Sequence, residues 1–328
     1  MTTTNNLPQA TSAALTQCIA ALAHGGPALV NDKSVSTRLG DLVKALQAAS
    51  PMSIDDAPAA LTLTSALSLA ATAQQLVALL QTSGSSDALG VETAKSIVAV
   101  LDSMSDRLGA SLRRENANKI RGLYVIIDPE VTGGREPLDI AKASVQGGAK
   151  MLQLRDKMRD KGEILPLALA LQELCEAKDV LLIINDHVDL AANVGSGGVH
   201  VGQTDLPVAQ VRQVLAPHQV LGRSNREIHL LVESQEMGAD HVAFGAIYPS
   251  TTKGGGRGPQ GAEKVKEARE VTKVPLVAIG GINIDNVAPV VHAGADAICV
   301  TAAIGSAPDP EAAAANLTEA IRAAGGKI

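Results

Sequence analysis

Short apolar stretches recur through the later two thirds of the chain, at 123–127, 151–154, 181–184, 199–201, 220–221, 242–244, 276–279 and 298–300. Helix-length amphipathic segments separate them. Short strands alternating with helices imply a parallel sheet, and strand–helix units in this number close into a barrel. Working residues of such a barrel gather at the carboxyl ends of its strands. In order, the exits read Asp128; Gln153, Arg155 and Lys157; Asn185 and Asp186; Gln203 and Asp205; Ser224; Thr252 and Lys253; Gly280 and Gly281; and Thr301 and Ala302. Polar and glycine-rich clusters on one rim point to an enzyme that handles an anion or a metal.

Upstream the period changes. Leu39, Leu42, Val43 and Leu46 recur at the spacing of one helical face, as do Ile97, Leu101, Met104 and Leu108. Residues 10–23 and 59–80 are strong helix formers, with Gly25-Gly26 and Gly84 as expected stops. Clusters of Gly, Ser and Pro near 25–27, 50–52 and 83–86 divide this region into about four helices, the pattern of a small antiparallel bundle. A chain of 328 residues is too long for one barrel, which takes roughly 250 residues. The expected organisation is therefore an α-helical domain over residues 1–118 and a (β/α)8 TIM barrel over residues 119–328. The aromatic residues, Tyr124, Phe244 and Tyr248, all fall after position 123, which marks the same boundary. The helical part carries no paired carboxylates, phosphate loop or ligand cluster. Packing or homo-oligomerisation is its expected role, and a regulatory ligand site in the bundle core is the other reading.

A net charge of −6 excludes an extended nucleic-acid surface, which needs clustered Lys and Arg. The basic run Arg113, Arg114, Lys119 and Arg121 reads as a solvated linker helix. Cys18, Cys175 and Cys299 lie far apart without metal-type spacing and are expected to be reduced, buried thiols. No basic region followed by an apolar core opens the chain, and no stretch of about 18 uninterrupted apolar residues occurs. A soluble cytoplasmic protein acting on small molecules, without nucleic-acid or membrane partners, is the expectation.

Gln153, Arg155 and Lys157 alternate, so an extended segment projects all three to one side. A guanidinium fork, an ammonium and an amide suit a diphosphate, while an interior polar layer of the barrel is an equal alternative. Asp186 and Asp205 end neighbouring strands and offer two carboxylates to Mg²⁺, which completes its shell with water and substrate phosphate oxygens. The competing reading makes Asp186 a helix cap and Asp205 a turn residue before Pro207. His187 and His200 read as structural groups rather than general bases. The run Pro249, Ser250, Thr251, Thr252, Lys253, Gly254, Gly255, Gly256, Arg257 and Gly258 reads as a lid over an anion. Gly280-Gly281 and the segment from Thr301 occupy the usual place for a substrate phosphate.

These residues fall into ordered motifs: Gln-Leu-Arg-Asp-Lys at 153–157, Ile-Asn-Asp at 184–186, Gly-Val-His-Val-Gly-Gln-Thr-Asp at 198–205, Gly-Ala-Ile-Tyr-Pro-Ser-Thr-Thr-Lys at 245–253 and Ala-Ile-Gly-Gly-Ile at 278–282. With them, residues 123–310 resemble thiamine-phosphate synthase, also called thiamine-phosphate pyrophosphorylase. The resemblance implies a transferase of thiamine biosynthesis. It would join 4-amino-5-hydroxymethyl-2-methylpyrimidine diphosphate to a thiazole phosphate and release diphosphate. It further implies that Gln153, Arg155, Lys157, Asn185, Thr252 and Lys253 hold the diphosphate and that Asp186 and Asp205 carry magnesium. Gly281, Thr301 and Ala302 would receive the thiazole phosphate. Arg155, Lys157, Ser224 and Lys253 would stabilise charge during the reaction, with Ser224 and Ser250 also touching substrate.

Three positions depart from the family pattern. After strand five the family reads Gly-x-Ser-x-His, whereas here Gly222-Arg223-Ser224-Asn225-Arg226 places Arg226 where the histidine stands. Ser250 replaces a threonine, and Ala302 a serine. A thiazole tautomerase of the same barrel family is the nearest rival, and Arg226 removes its base. A noncatalytic sensor of thiamine phosphates is the rival from another class. Whether the acceptor is the ordinary or the carboxylated thiazole phosphate depends on pocket shape.

Overall fold

The computed structural model describes residues 7–30, 33–49, 61–82, 90–249 and 258–328. It divides into two compact units, Met1–Leu112 and Arg113–Ile328.

The first unit is built from α1 (Leu7–Val30), α2 (Lys33–Ala49), α3 (Leu63–Thr82) and most of α4 (Val91–Asn118). One apolar core runs through it, formed by residues such as Leu15, Ile19, Leu39, Ile97, Leu101 and Met104. Gly25-Gly26, expected to stop the first helix, lies inside α1 instead. A Cβ on Gly26 would overlap the Met104 side chain, and one on Gly25 would stand 2.9 Å from Leu61 Cγ. These glycines let neighbouring segments approach α1, at some cost in helix propensity. On α3, which starts at Leu63 rather than 59, Thr62 and Ser65 exchange side-chain and backbone hydrogen bonds at the amino end. By length and composition alone α3 could cross a membrane, yet its face of Ala66, Ala70, Ala73, Val77 and Leu80 is buried in the bundle core. The separators expected at 50–52 and 83–86 lie outside the described residues.

The second unit is a closed eight-stranded parallel barrel in sequential order. Its strands are β1 (Gly122–Ile127), β2 (Met151–Leu154), β3 (Leu181–Asn185), β4 (Gly198–Val201), β5 (Val220–Asn225), β6 (His241–Gly245), β7 (Leu276–Ile279) and β8 (Ala297–Val300). The connecting helices are α5 (Pro137–Gln146), α6 (Lys161–Lys178), α7 (Val188–Val194), α8 (Val208–Val214), α9 (Ile228–Glu236), α10 (Ala262–Val271) and α11 (Val287–His292). After β8 come the short α12 (Ala302–Gly305) and the closing α13 (Pro310–Ala323). Alternation along each strand separates two cores. Tyr124, Ile126, Met151, Ile183, Val277 and Cys299 fill the interior. Leu123, Val125, Leu152, Val199, Phe244 and Ile298 pack outward against the helices.

Sequence places β5 at 220–221, but the strand continues to Asn225. Arg223 and Asn225 are polar and yet buried, because each has partners. Arg223 donates to Gln203 Oε1 at 3.1 Å and pairs with Glu233, while Asn225 accepts from Ser234 Oγ at 2.7 Å. The basic run is also more than a solvated face. Arg113 donates to the Pro217 carbonyl, and Lys119 pairs with Asp179 at 2.6 Å, so the end of α4 is held within the barrel unit. On the rim, Arg135 donates to the carbonyls of Thr132, Gly305 and Ala307, tying the loop after β1 to the segment after α12.

Candidate active site

The carboxyl rim of the barrel opens into a cleft of about 860 Å³. Inward residues Ile126, Ala243 and Cys299 line its base. Asp128 and Arg155 come from the ends of β1 and β2, and Ser224 and Arg226 from the end of β5. Tyr248 follows β6, Gly280 to Asn283 follow β7, and Thr301 to Ala303 follow β8.

The parallel register sets Ile127 beside Leu154, so Asp128 and Arg155 leave adjacent strands together. Arg155 donates to Asp128 Oδ2, and Asp128 Oδ1 accepts from the Glu130 amide at 3.1 Å. The Asp128 side chain is only 1% exposed, so this pair is shielded from solvent and fixes the guanidinium. Gln153 lies deeper: its Nε2 donates to Tyr124 Oη at 2.6 Å. Burial, and next the nearby Cys299, raise the Tyr124 phenol well above its ordinary value despite the Gln153 bond. The expected convergence of Gln153, Arg155 and Lys157 on one point is therefore not what is seen. Each has its own acceptor, on Tyr124, Asp128 and Asp186 respectively.

Lys157 leaves the turn after β2, which Asp156 organises by accepting from the amides of Met158 and Arg159 at 3.0 and 3.1 Å. Burial alone would raise the Asp156 carboxyl, but these bonds and the Arg159 guanidinium outweigh it and hold it below the usual range. Lys157 is bonded to Asp186 Oδ2. Asp186 adopts φ +60°, a left-handed conformation uncommon outside glycine, with its amide on the His200 carbonyl at 2.9 Å. It is not the cap of α7, a position held by His187 without a side-chain capping bond. Asn185 ends β3 and is half-buried. Asp205 closes the turn after β4, accepting from the Gly202 amide at 2.6 Å.

His200, Gly222 and His241 occupy one register level on β4, β5 and β6. The two rings stand 5.6 Å apart across the glycine, and His200 Nε2 shares a hydrogen bond with Ser224 Oγ at 2.8 Å. His241 is fully buried, and neither ring nitrogen has a partner among the described residues. Burial first, then His200 and Arg212, depress it well below the ordinary histidine value, so it is neutral. Neither histidine is among the described residues that line the cleft.

After β7 the cleft is lined by the backbone of Gly280 and Gly281. Gly280 and Gly281 have φ of +103° and +65°. A Cβ on Gly281 would stand 2.9 Å from the Tyr248 carbonyl carbon and overlap the Pro249 oxygen. Asn286 Nδ2 donates to the Gly281 carbonyl at 3.0 Å, fixing the turn. Thr301 precedes α12, whose first amides have no intrahelical acceptor.

Of the expected site residues, Arg155, Ser224, Gly281, Thr301 and Ala302 line one cleft. Lys157 and Asp186 meet beside one another at the exits of β2 and β3. Ser250, Thr252 and Lys253 lie outside the described residues. Sequence alone did not mark Tyr248 and Asn283 as lining residues, nor Asp128 as the partner of Arg155; the last was open to a register argument, since both stand one step beyond paired strand ends.

Residues 123–304 match the family model described as thiamine monophosphate synthase. The thiamine-phosphate synthase of Thioalkalivibrio sulfidiphilus is 44% identical over 206 residues, covering 62% of this chain and 96% of the relative. That of Shouchella clausii is 38% identical over 202 residues, covering 62% and 97%. Among solved structures, the thiamine phosphate pyrophosphorylase from Pyrococcus furiosus aligns with a TM-score of 0.59 at 30% identity, covering 64% of this chain and 99% of that one. The helical unit lies outside the matched residues. A closed barrel, a polar rim in the expected order and a match spanning more than half of its length place the chain in the thiamine monophosphate synthase family.

Proposed function

We propose that this chain is a thiamine-phosphate synthase, a transferase that joins the pyrimidine diphosphate to the thiazole phosphate and releases diphosphate. One observation carries the reading: a single cleft joins a fixed guanidinium, Arg155, to a wall of backbone and hydroxyl donors at Gly281 and Thr301. One cavity thus has two ends suited to anions, as two phosphorylated substrates require.

On this reading Arg155, Lys157, Asn185, Thr252 and Lys253 hold the diphosphate, and Ser250 touches substrate. Gln153 supports that end from beneath through Tyr124. Gly281, Thr301 and Ala302 receive the thiazole phosphate. The bond between the pyrimidine methylene carbon and the diphosphate oxygen breaks with its electron pair leaving on diphosphate. The thiazole nitrogen gives its lone pair to the same carbon, and no proton need move. Arg155 and Lys157 stabilise the departing charge, Ser224 donates a hydrogen bond near it, and the apolar base formed by Ile126 and Ala243 excludes water.

Asp186 and Asp205 fit magnesium in chemistry: both are oxygen donors on the exits of neighbouring strands. Among the described residues no group of three or more His, Cys, Asp or Glu is assembled. The rest of a magnesium shell would come from water and diphosphate oxygens, the usual arrangement for this ion. Bound there, magnesium would supply charge neutralisation of the leaving group. Residues 119–328 would carry the catalysis and residues 1–118 a packing or homo-oligomerisation role. A cytoplasmic location agrees with Cys18, Cys175 and Cys299 standing outside any disulfide.

The test is a discontinuous assay of the purified full-length protein, with both substrates and with each omitted in turn. Thiamine phosphate and diphosphate formed in equal amounts only when both are present supports the reading. Absence of product with both substrates bound overturns it.

A further inference from the structure

The charge in the cleft is uneven. Among the described residues its charged lining consists of Asp128, Arg155 and Arg226. Asp128 and Arg155 are bonded to each other. Arg226 forms no ion pair among the described residues, and its Nε is buried there without a hydrogen-bond partner. A buried donor left without an acceptor is costly, so such a group in a cleft calls for an acceptor that a bound anion can supply.

The backbone that carries Arg226 is anchored on both sides. Asn225, immediately before it, is held by Ser234 and Gln203 at 2.7 and 3.1 Å. Gln260 Nε2 donates to the Arg226 carbonyl at 2.9 Å, while the Gln260 amide donates to the Ala246 carbonyl at 2.8 Å. Arg226 is therefore fixed against the segment after β6. From there the described lining continues through β6, β7 and β8 and takes no residue from β3 or β4. Arg226 shares the cleft with the lobe formed by Gly281 and Thr301, whereas Asp186 and Asp205 are not among the described lining residues. That lobe otherwise offers neutral donors, which leave the charge of a phosphate unmatched.

We propose that Arg226 is a specificity-determining residue for the acceptor, its guanidinium binding the acceptor's phosphate oxygens. The proposal rests on the synthase reading above and adds a side-chain cation to the backbone donors of that lobe. It also gives the departure from the family histidine a consequence: a permanent positive charge in place of a titratable ring.

Calorimetric titration of the full-length protein separates the cases. The wild type, Arg226→Gln and Arg226→Lys are titrated with the thiazole phosphate, with its dephosphorylated alcohol and with the pyrimidine diphosphate, and wild-type turnover is measured in parallel. Loss of one charged hydrogen-bond donor weakens phosphate binding by roughly tenfold or more. The expected result is such a loss for the thiazole phosphate in Arg226→Gln, partial recovery in Arg226→Lys, and unchanged binding of the alcohol. Unchanged binding of the pyrimidine diphosphate shows that the variants are folded. Equal weakening of both thiazoles, or weakening confined to the pyrimidine diphosphate, overturns the proposal. Absence of wild-type turnover overturns the synthase reading instead, and the difference between the two thiazoles still decides the role of Arg226.

Discussion

Gly222→Ala places a methyl group where the barrel has no room for it. The new Cβ would stand 2.5 Å from His200 Nδ1 and closer still to Nε2 and Cε1 of His241. Carbon and nitrogen in ordinary contact sit near 3.5 Å, so both rings must give way, His200 by about 1 Å and His241 by somewhat more. Neither moves easily: His241 is fully buried, and His200 is tied to Ser224 at 2.8 Å. The strand cannot retreat, because β5 is hydrogen-bonded to β4 and β6 on either side. Overpacking of a filled interior costs roughly 1–3 kcal/mol, and two displaced rings put this case near about 3 kcal/mol. For a unit of this size each kcal/mol lowers the melting temperature by about 2–4 °C, giving a fall of about 6–12 °C. Thermal unfolding followed by circular dichroism measures it, in the wild-type and His241→Ala backgrounds. Removing the closer ring should about halve the penalty. A barrel transition within 1 °C of wild type, or a penalty undiminished in His241→Ala, would show that the two rings do not confine this position.

Three further outcomes follow from the same geometry. His241 is held neutral in the folded chain by burial, His200 and Arg212, so below about pH 6.5 only the unfolded chain takes up that proton; stability should fall with acidity by up to about 1.4 kcal/mol per pH unit, with His218 adding in the same direction. Urea midpoints between pH 7 and 5 should show this slope reduced in His241→Asn, and an unchanged slope counts against it. Asp128→Asn frees the Arg155 guanidinium and should lower kcat/KM by roughly 10–100-fold, the worth of a charged hydrogen bond, with the main rise in KM for the pyrimidine diphosphate. Gly281→Ala forces a side chain into a left-handed backbone at φ +65° against Tyr248 and Pro249; about 1–2 kcal/mol of strain should appear in the melting curve, together with weaker binding of the thiazole phosphate in calorimetry.

The barrel was legible because its strands are short apolar runs whose exits carry the polar residues, a pattern that survives in sequence without side-chain detail. Strand and apolar run part company in β5, where Arg223 and Asn225 are buried through polar partners that no hydropathy pattern announces. Gly25-Gly26 misled in the opposite sense. Glycine signals both a helix stop and a close approach, and only the positions of Leu61 and Met104 decide between them. Alternation correctly put Gln153 and Arg155 on one side of β2. It could not say that Tyr124 lies under one and Asp128 beside the other, since those partners come from β1 through the register. Arg226 stood out in sequence only as a replaced histidine; its orphaned nitrogen and its place in the cleft belong to the fold.

On the proposed function, one rim of this barrel carries out a magnesium-assisted displacement of diphosphate. The most direct measurement is the rate of diphosphate release with both substrates, across a magnesium titration, for wild type, Asp186→Ala and Asp205→Ala. The expected result is magnesium-dependent release in the wild type, with both variants needing far more magnesium or losing activity while still unfolding cooperatively as folded proteins. Release that is independent of magnesium, or that is unaffected by either substitution, would contradict it.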